Sequence, residues 1–132
     1  MRLALREDLG RPTDDAHNFI KLLEKEAREK NGYYNTLIEN GKLHSCCFLS
    51  RRMMNQLDYF SDVLIVDTSH KINRFNLPLL DIVSINNLGK TTTCFVGLLG
   101  DQTYKTFLWI LQNLKDQMKK IPLVIFSVEE EL

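Results

Sequence analysis

DVLIVDTSHKINRFNLPLL, residues 62–80, is the stretch on which the fold turns. Val63 to Val66 is an unbroken apolar run that drives straight into Asp67. Such a run predicts a strand buried on both faces. A polar, basic turn follows, and Leu77–Ile85 predicts the next strand. A carboxylate at the end of a buried strand has two ordinary uses. Followed by Thr68 and Ser69, it can accept backbone N–H groups in an Asx-type turn. Alternatively it ligates a metal ion, which calls for a second carboxylate facing it. Both readings stand at this point.

Downstream, Thr91–Leu99 predicts a third strand, joined to the second by the hairpin-like turn NNLGK. Thr103–Lys119 has helical periodicity, with Tyr104, Phe107, Leu108, Leu111 and Leu114 expected inward and Trp109 at the flank of that stripe. Asp101 or Thr103 can cap it. Pro122 breaks the pattern, and Leu123–Phe126 predicts a fourth strand. Upstream, residues 11–31 predict a helix capped by Thr13 or Asp14, with Phe19, Ile20, Leu22, Leu23 and Ala27 as its apolar stripe. Asn31-Gly32 ends it. Two β-prone runs then flank Asn40-Gly41, a strong signal for a type I′ hairpin. SRRMMNQLDYF, residues 50–60, predicts a short helix with Met53, Met54, Leu57 and Phe60 inward and Arg51 and Arg52 outward. GKTTT at 89–93 lacks the first glycine of a phosphate loop and sits in a hairpin.

Composition narrows the function classes. The 132 residues are enough for one domain, 44% apolar, 26% charged and formally neutral. Nucleic-acid binding would therefore need a local basic patch. No apolar run has bilayer length, and the N-terminus turns polar too soon for a secretory signal. Three cysteines, two of them adjacent, do not make a disulfide framework. They read as reduced and intracellular, with Cys46 and Cys47 as small buried side chains rather than a zinc site with His44.

Strand, strand, strand, helix, strand is the order of a ribonuclease-H-like core, a β-β-β-α-β mixed sheet whose last strand runs parallel to the first. The fold class is α/β, with residues 61–132 as the core and residues 1–60 as an N-terminal helix, hairpin and short-helix annex. In that architecture the central strand, the first in sequence, ends in an aspartate and the fourth ends beside it. Two carboxylates there would hold divalent ions about 4 Å apart for phosphodiester cleavage. Asp67 takes the first position.

Several blocks in order carry a family resemblance. DYFSDVLIVDTSHKINRFNLPL, FVGLLGDQTYKTFLWIL and IPLVIFS, preceded by GYYNTLIENGKL and SRRMMNQLDYF, resemble the Mutator-like element (MULE) transposase domain. The branch is that of the FAR1/FHY3-related, transposase-derived proteins and their SWIM-finger relatives. The resemblance spans roughly residues 30–132, with the preceding helix similar to the family's lead-in. It implies an ancestral DDE-type nuclease and strand transferase acting on DNA with Mg2+. Asp67 matches the first acid. The second should follow the fourth strand's apolar run, where IFSVEEEL places Ser127 and then Val128. Valine binds no metal ion. Glu129 is one position late and would face away, whereas Glu130 restores the facing roughly 6–7 Å further along, a weak substitute. The third acid belongs on a helix beyond Leu132.

The expectation is therefore a truncated transposase-derived domain without cleavage activity, kept as a DNA- or protein-binding, transcription-regulatory scaffold in the nucleus. Two alternatives remain: a truncated mobile-element copy without a role, and a DDE nuclease completed by residues outside this chain. Mg2+ is expected only if a partner carboxylate stands beside Asp67. His70, Lys71 and Arg74 form a small basic turn that either contacts DNA phosphate or is simply solvated. The DNA-recognition zinc module and SWIM finger of relatives are not found in these residues. A missing covering helix predicts exposed apolar surface, hence self-association or a protein partner, and no membrane.

Overall fold

The computed structural model describes residues 12–69 and 78–129. In chain order these form α1 (Pro12–Lys30), β1 (Tyr33–Glu39), β2 (Lys42–Leu49), α2 (Arg51–Tyr59), β3 (Val63–Ser69), β4 (Leu79–Ile85), β5 (Thr91–Leu98), α3 (Tyr104–Gln117) and β6 (Val124–Glu129).

Local chemistry explains the punctuation. Asn31 takes φ 54° where α1 ends, and Asn40 and Gly41 take φ 53° and 73° in the β1–β2 turn, the two positive values that a type I′ hairpin demands. Ser50 caps α2: its hydroxyl accepts from the Met53 N–H, and the Met53 sulfur accepts from the Ser50 N–H. Thr103 caps α3 by accepting from the Thr106 N–H. The solvent face of α1 carries the i,i+4 pairs Glu24–Arg28 and Glu26–Lys30.

All six strands form one sheet in the order β1-β2-β5-β4-β3-β6. Every neighbouring pair is antiparallel except β3 and β6, which run parallel. A parallel pair needs a crossover, and α3 lies in it. This is the mixed α/β sheet of a ribonuclease-H-like core. The N-terminal hairpin extends that same sheet, because β2 pairs with β5 through Cys46–Leu98, Cys47–Gly97 and Phe48–Val96.

Along β4, Leu80, Ile82 and Ser84 are buried while Leu79, Asp81 and Val83 are half-buried and Ile85 is exposed. That alternation divides the sheet into a core face and a second, less covered face. On the core face, Phe95, Leu80, Ile82, Leu64, Leu49, Leu57 and Ile110 are almost wholly enclosed. Gly97 lets α3 approach: a Cβ there would stand 3.1 Å from the Ile110 Cδ1.

Three expectations need correction. The apolar run of β3 is not buried on both faces: Leu64 is enclosed, Val63 and Ile65 are half-buried on the less covered face, and Val66, which shares the core face with Ile82, is itself only half-buried. Asp67 does not end the strand, since β3 continues to Ser69. The inward face of α3 is turned from the predicted stripe. Thr106, Ile110, Asn113 and Leu114 are buried, while Tyr104, Leu108 and Leu111 are exposed. Its anchor is polar, the Asn113 carboxamide, which accepts from the Tyr33 hydroxyl (2.6 Å) and the Asn35 Nδ2 (2.8 Å) and donates to the Trp109 carbonyl (2.8 Å). Trp109 packs against the core, as predicted. No helix among the described residues is long and apolar enough to cross a membrane.

Candidate functional site

The ladders on either side of β3 decide what surrounds Asp67. On the β6 side, the parallel register pairs Asp67 with Val128 and Thr68 with Glu129. Where a cleaving relative would place a second carboxylate, the partner in register is a valine. On the β4 side, the antiparallel register pairs Asp67 with Asp81. Asp81 alternates away from Leu80 and Ile82, so the two acids share the less covered face. Both are half-buried, and each has a buried Oδ1 without a hydrogen-bond partner. The expected Asx-type use of Asp67 does not satisfy that oxygen.

Asp81 is the residue that sequence reasoning missed. Its signal was present, a single acid inside the apolar run LLDIVSI. What could not be read was the register, which the pairing of β3 with β4 sets. His70, Lys71 and Arg74, the expected phosphate-contacting turn, and Glu130, the weak substitute acid, lie outside the described residues. Among the described residues no group of three metal-ligating side chains is assembled.

The cysteines line the interior. Cys46, Cys47 and Cys94 are free and buried. Burial pushes each thiol up to about 12, so all three stay protonated and unreactive. For Cys94, the Ser84 hydrogen bond opposes burial and the nearby Asp81 adds to it.

A second polar cluster has a misleading composition. The Ser45 hydroxyl lies 2.8 Å from His44 Nδ1, and His44 Nε2 lies 3.0 Å from Asp101 Oδ2. Serine, histidine and aspartate in sequence of contact resemble a nucleophilic triad. Ser45, however, is 0% exposed, and its oxygen accepts the Gly100 N–H at 2.8 Å. No substrate can reach it. The cluster instead joins β2 to the start of α3, where Asp101 Oδ1 accepts from the Thr106 and Thr103 hydroxyls and the Thr103 N–H.

Comparison with known proteins agrees with this topology. Residues 22–128 match the family model described as "Zinc finger SWIM domain-containing protein 1/3, RNaseH-like domain". The chain belongs to this family. Its curated relatives include two Arabidopsis thaliana proteins that cover most of this SWIM-associated RNaseH-like domain. Protein FAR1-RELATED SEQUENCE 11 is 29% identical over 122 residues, 88% of this chain and 18% of the relative. Protein FAR1-RELATED SEQUENCE 6 is 28% identical over 89 residues, 67% of this chain and 13% of the relative. The chain thus spans less than a fifth of either. No solved structure matches it significantly. The relationship places the domain in the branch derived from MULE transposases.

Nucleases of this fold imply a divalent ion, and this RNaseH-like domain meets that requirement unevenly. Asp67 and Asp81 fit it, since two buried carboxylate oxygens lacking a protein donor suit a hard cation. Val128 does not fit, so the two-ion arrangement for phosphodiester cleavage has no ligand from β6 at that register.

Proposed function

We propose that this RNaseH-like domain no longer cleaves nucleic acid and serves as a binding scaffold in a nuclear, transcription-regulatory protein. The observation that carries the reading is the pairing of Asp67 with Val128 in the parallel β3–β6 ladder. Two-metal hydrolysis needs carboxylates on both sides of the reacting phosphate, and valine has no oxygen to contribute. A fold kept without its chemistry retains its surfaces, and here the surface offered is apolar. Val124, Ile125 and Phe126 of the edge strand β6 are 41%, 51% and 56% exposed. Ile121 and Leu123, just before that strand, are more exposed still.

DNA is the second partner of the reading, as the family resemblance implies. A fluorescence-anisotropy titration of duplex DNA at several salt concentrations tests it. Binding that weakens steeply with salt supports a DNA scaffold, because phosphate contacts release counterions. A flat response at low salt argues against DNA and leaves the protein-binding edge as the scaffold's working surface.

A further inference from the structure

Asp67 and Asp81 are directly opposed, one pair within a ladder of six consecutive pairs from Leu64–Ser84 to Ser69–Leu79. Directly opposed residues of an antiparallel pair hold their Cβ atoms about 4.5–5.5 Å apart, and like charges at such positions repel. The ladder prevents the two strands from separating to relieve that repulsion. Each carboxylate also has one oxygen cut off from water with no donor. Among the described residues, no lysine, arginine or histidine is ion-paired with either acid. Buried oxygens of this kind are costly unless something positive lies against them.

We infer that Asp67 and Asp81 together bind one divalent cation of the hard, oxygen-preferring class, Mg2+ or Mn2+. Mg2+ is commonly held by one or two carboxylates with water completing its octahedron, so two aspartates suffice as protein ligands. The site lies on the opposite side of β3 from the position where a cleaving relative would place its second acid. It joins β3 to β4 instead of β3 to β6. A lone ion between these strands cannot clamp both the attacking and the leaving oxygen of a phosphodiester. Its role is to neutralise the acid pair and fix the middle of the sheet, compatible with a scaffold that does not cut.

The test is Mn2+ binding to this chain, followed by the electron paramagnetic resonance of free Mn2+, together with thermal unfolding in MgCl2. One Mn2+ per chain is expected. At Mg2+ tenfold above its dissociation constant, Tm should rise by on the order of 5 °C. Asp67→Asn and Asp81→Asn should each weaken Mn2+ binding at least about tenfold, the loss expected when one of two charged ligands goes. Glu26→Gln, which removes an exposed acid of α1, should leave binding unchanged. If the Asn variants fail to fold, paramagnetic broadening in the unsubstituted chain decides: Asp67 and Asp81 side-chain signals should vanish first. No binding at millimolar Mn2+, binding that survives Asp81→Asn, or broadening that begins at Glu24 or Asp58 would overturn the inference. So would Asn variants that are more stable in a chain that binds no ion. Nicking of supercoiled DNA in the same samples bears on the scaffold reading alone, so the two failures are separable.

Discussion

Asn113 shows how much one side chain settles. It is a buried amide in a helix otherwise rich in apolar residues, and it holds Tyr33 and Asn35 of β1 against α3. Asn113→Leu should strip the Tyr33 hydroxyl and the Asn35 amide of their acceptor and cost about 2–4 kcal/mol, measurable by urea denaturation. A loss below about 0.5 kcal/mol would mean the network contributes nothing net. Gly100 is constrained differently: a Cβ there would stand 2.2 Å from the His44 carbonyl oxygen, a backbone atom that cannot swing aside. Gly100→Ala should therefore destabilise by about 2–4 kcal/mol in the same assay, and a neutral substitution would contradict the close approach. Asp101 gives a pH signature. Hydrogen bonds from Thr106, then Thr103, then His44 hold its carboxyl well below the usual carboxylate range. Because the folded value lies below the unfolded one, its stabilisation is fully present above the ordinary aspartate value, about 3.9, and is lost as pH falls towards the folded value. Asp101→Asn should flatten stability against pH in that acidic window, and an unchanged slope would remove Asp101 from the account. At this scale the sequence was legible where chemistry is local. Asn40-Gly41 announced its turn, whereas Asp81 became visible only once the ladder placed it beside Asp67.

Element by element, type and order were readable because apolar periodicity and turn residues are local signals; orientation was not. In α3, Phe107, Leu108, Trp109, Ile110 and Leu111 are consecutive, so the sequence offers apolar residues all round and no single stripe. Gly97 and Asn113 choose the face, through contacts made with other elements. The choice is measurable. Ile110, 1% exposed, should cost about 2–5 kcal/mol when changed to alanine, while Leu111, 43% exposed, should cost less than about 1. Equal losses would restore the stripe expected from periodicity. The edge strand β6 was read correctly as a strand, and its Val124, Ile125 and Phe126 are exposed among the described residues. Beside it, Leu111, Met118, Ile121, Pro122 and Ile125 line a groove of about 460 Å³. An apolar edge without a strand partner among the described residues is a template for another chain. Self-association at high concentration is therefore expected in sedimentation velocity, and Ile125→Lys with Phe126→Lys should suppress it with little loss of stability. A clean monomer of the unsubstituted chain under those conditions would oppose this.

For the whole molecule, the mixed sheet followed from the order of elements, since a strand reached through a helix crossover returns parallel. Register did not follow, because it is set by bulges, by turn geometry and by packing between distant segments. Yet the proposal of lost cleavage rests on register. One pairing gives Asp67 a valine neighbour, and the other gives it an aspartate on the wrong strand for paired-ion cleavage. The most direct measurement is nicking of supercoiled plasmid by this chain in Mg2+ and in Mn2+, beside Asp67→Asn. The account predicts no conversion to open circles above the level of that variant. Nicking that requires both the divalent ion and Asp67 would contradict it.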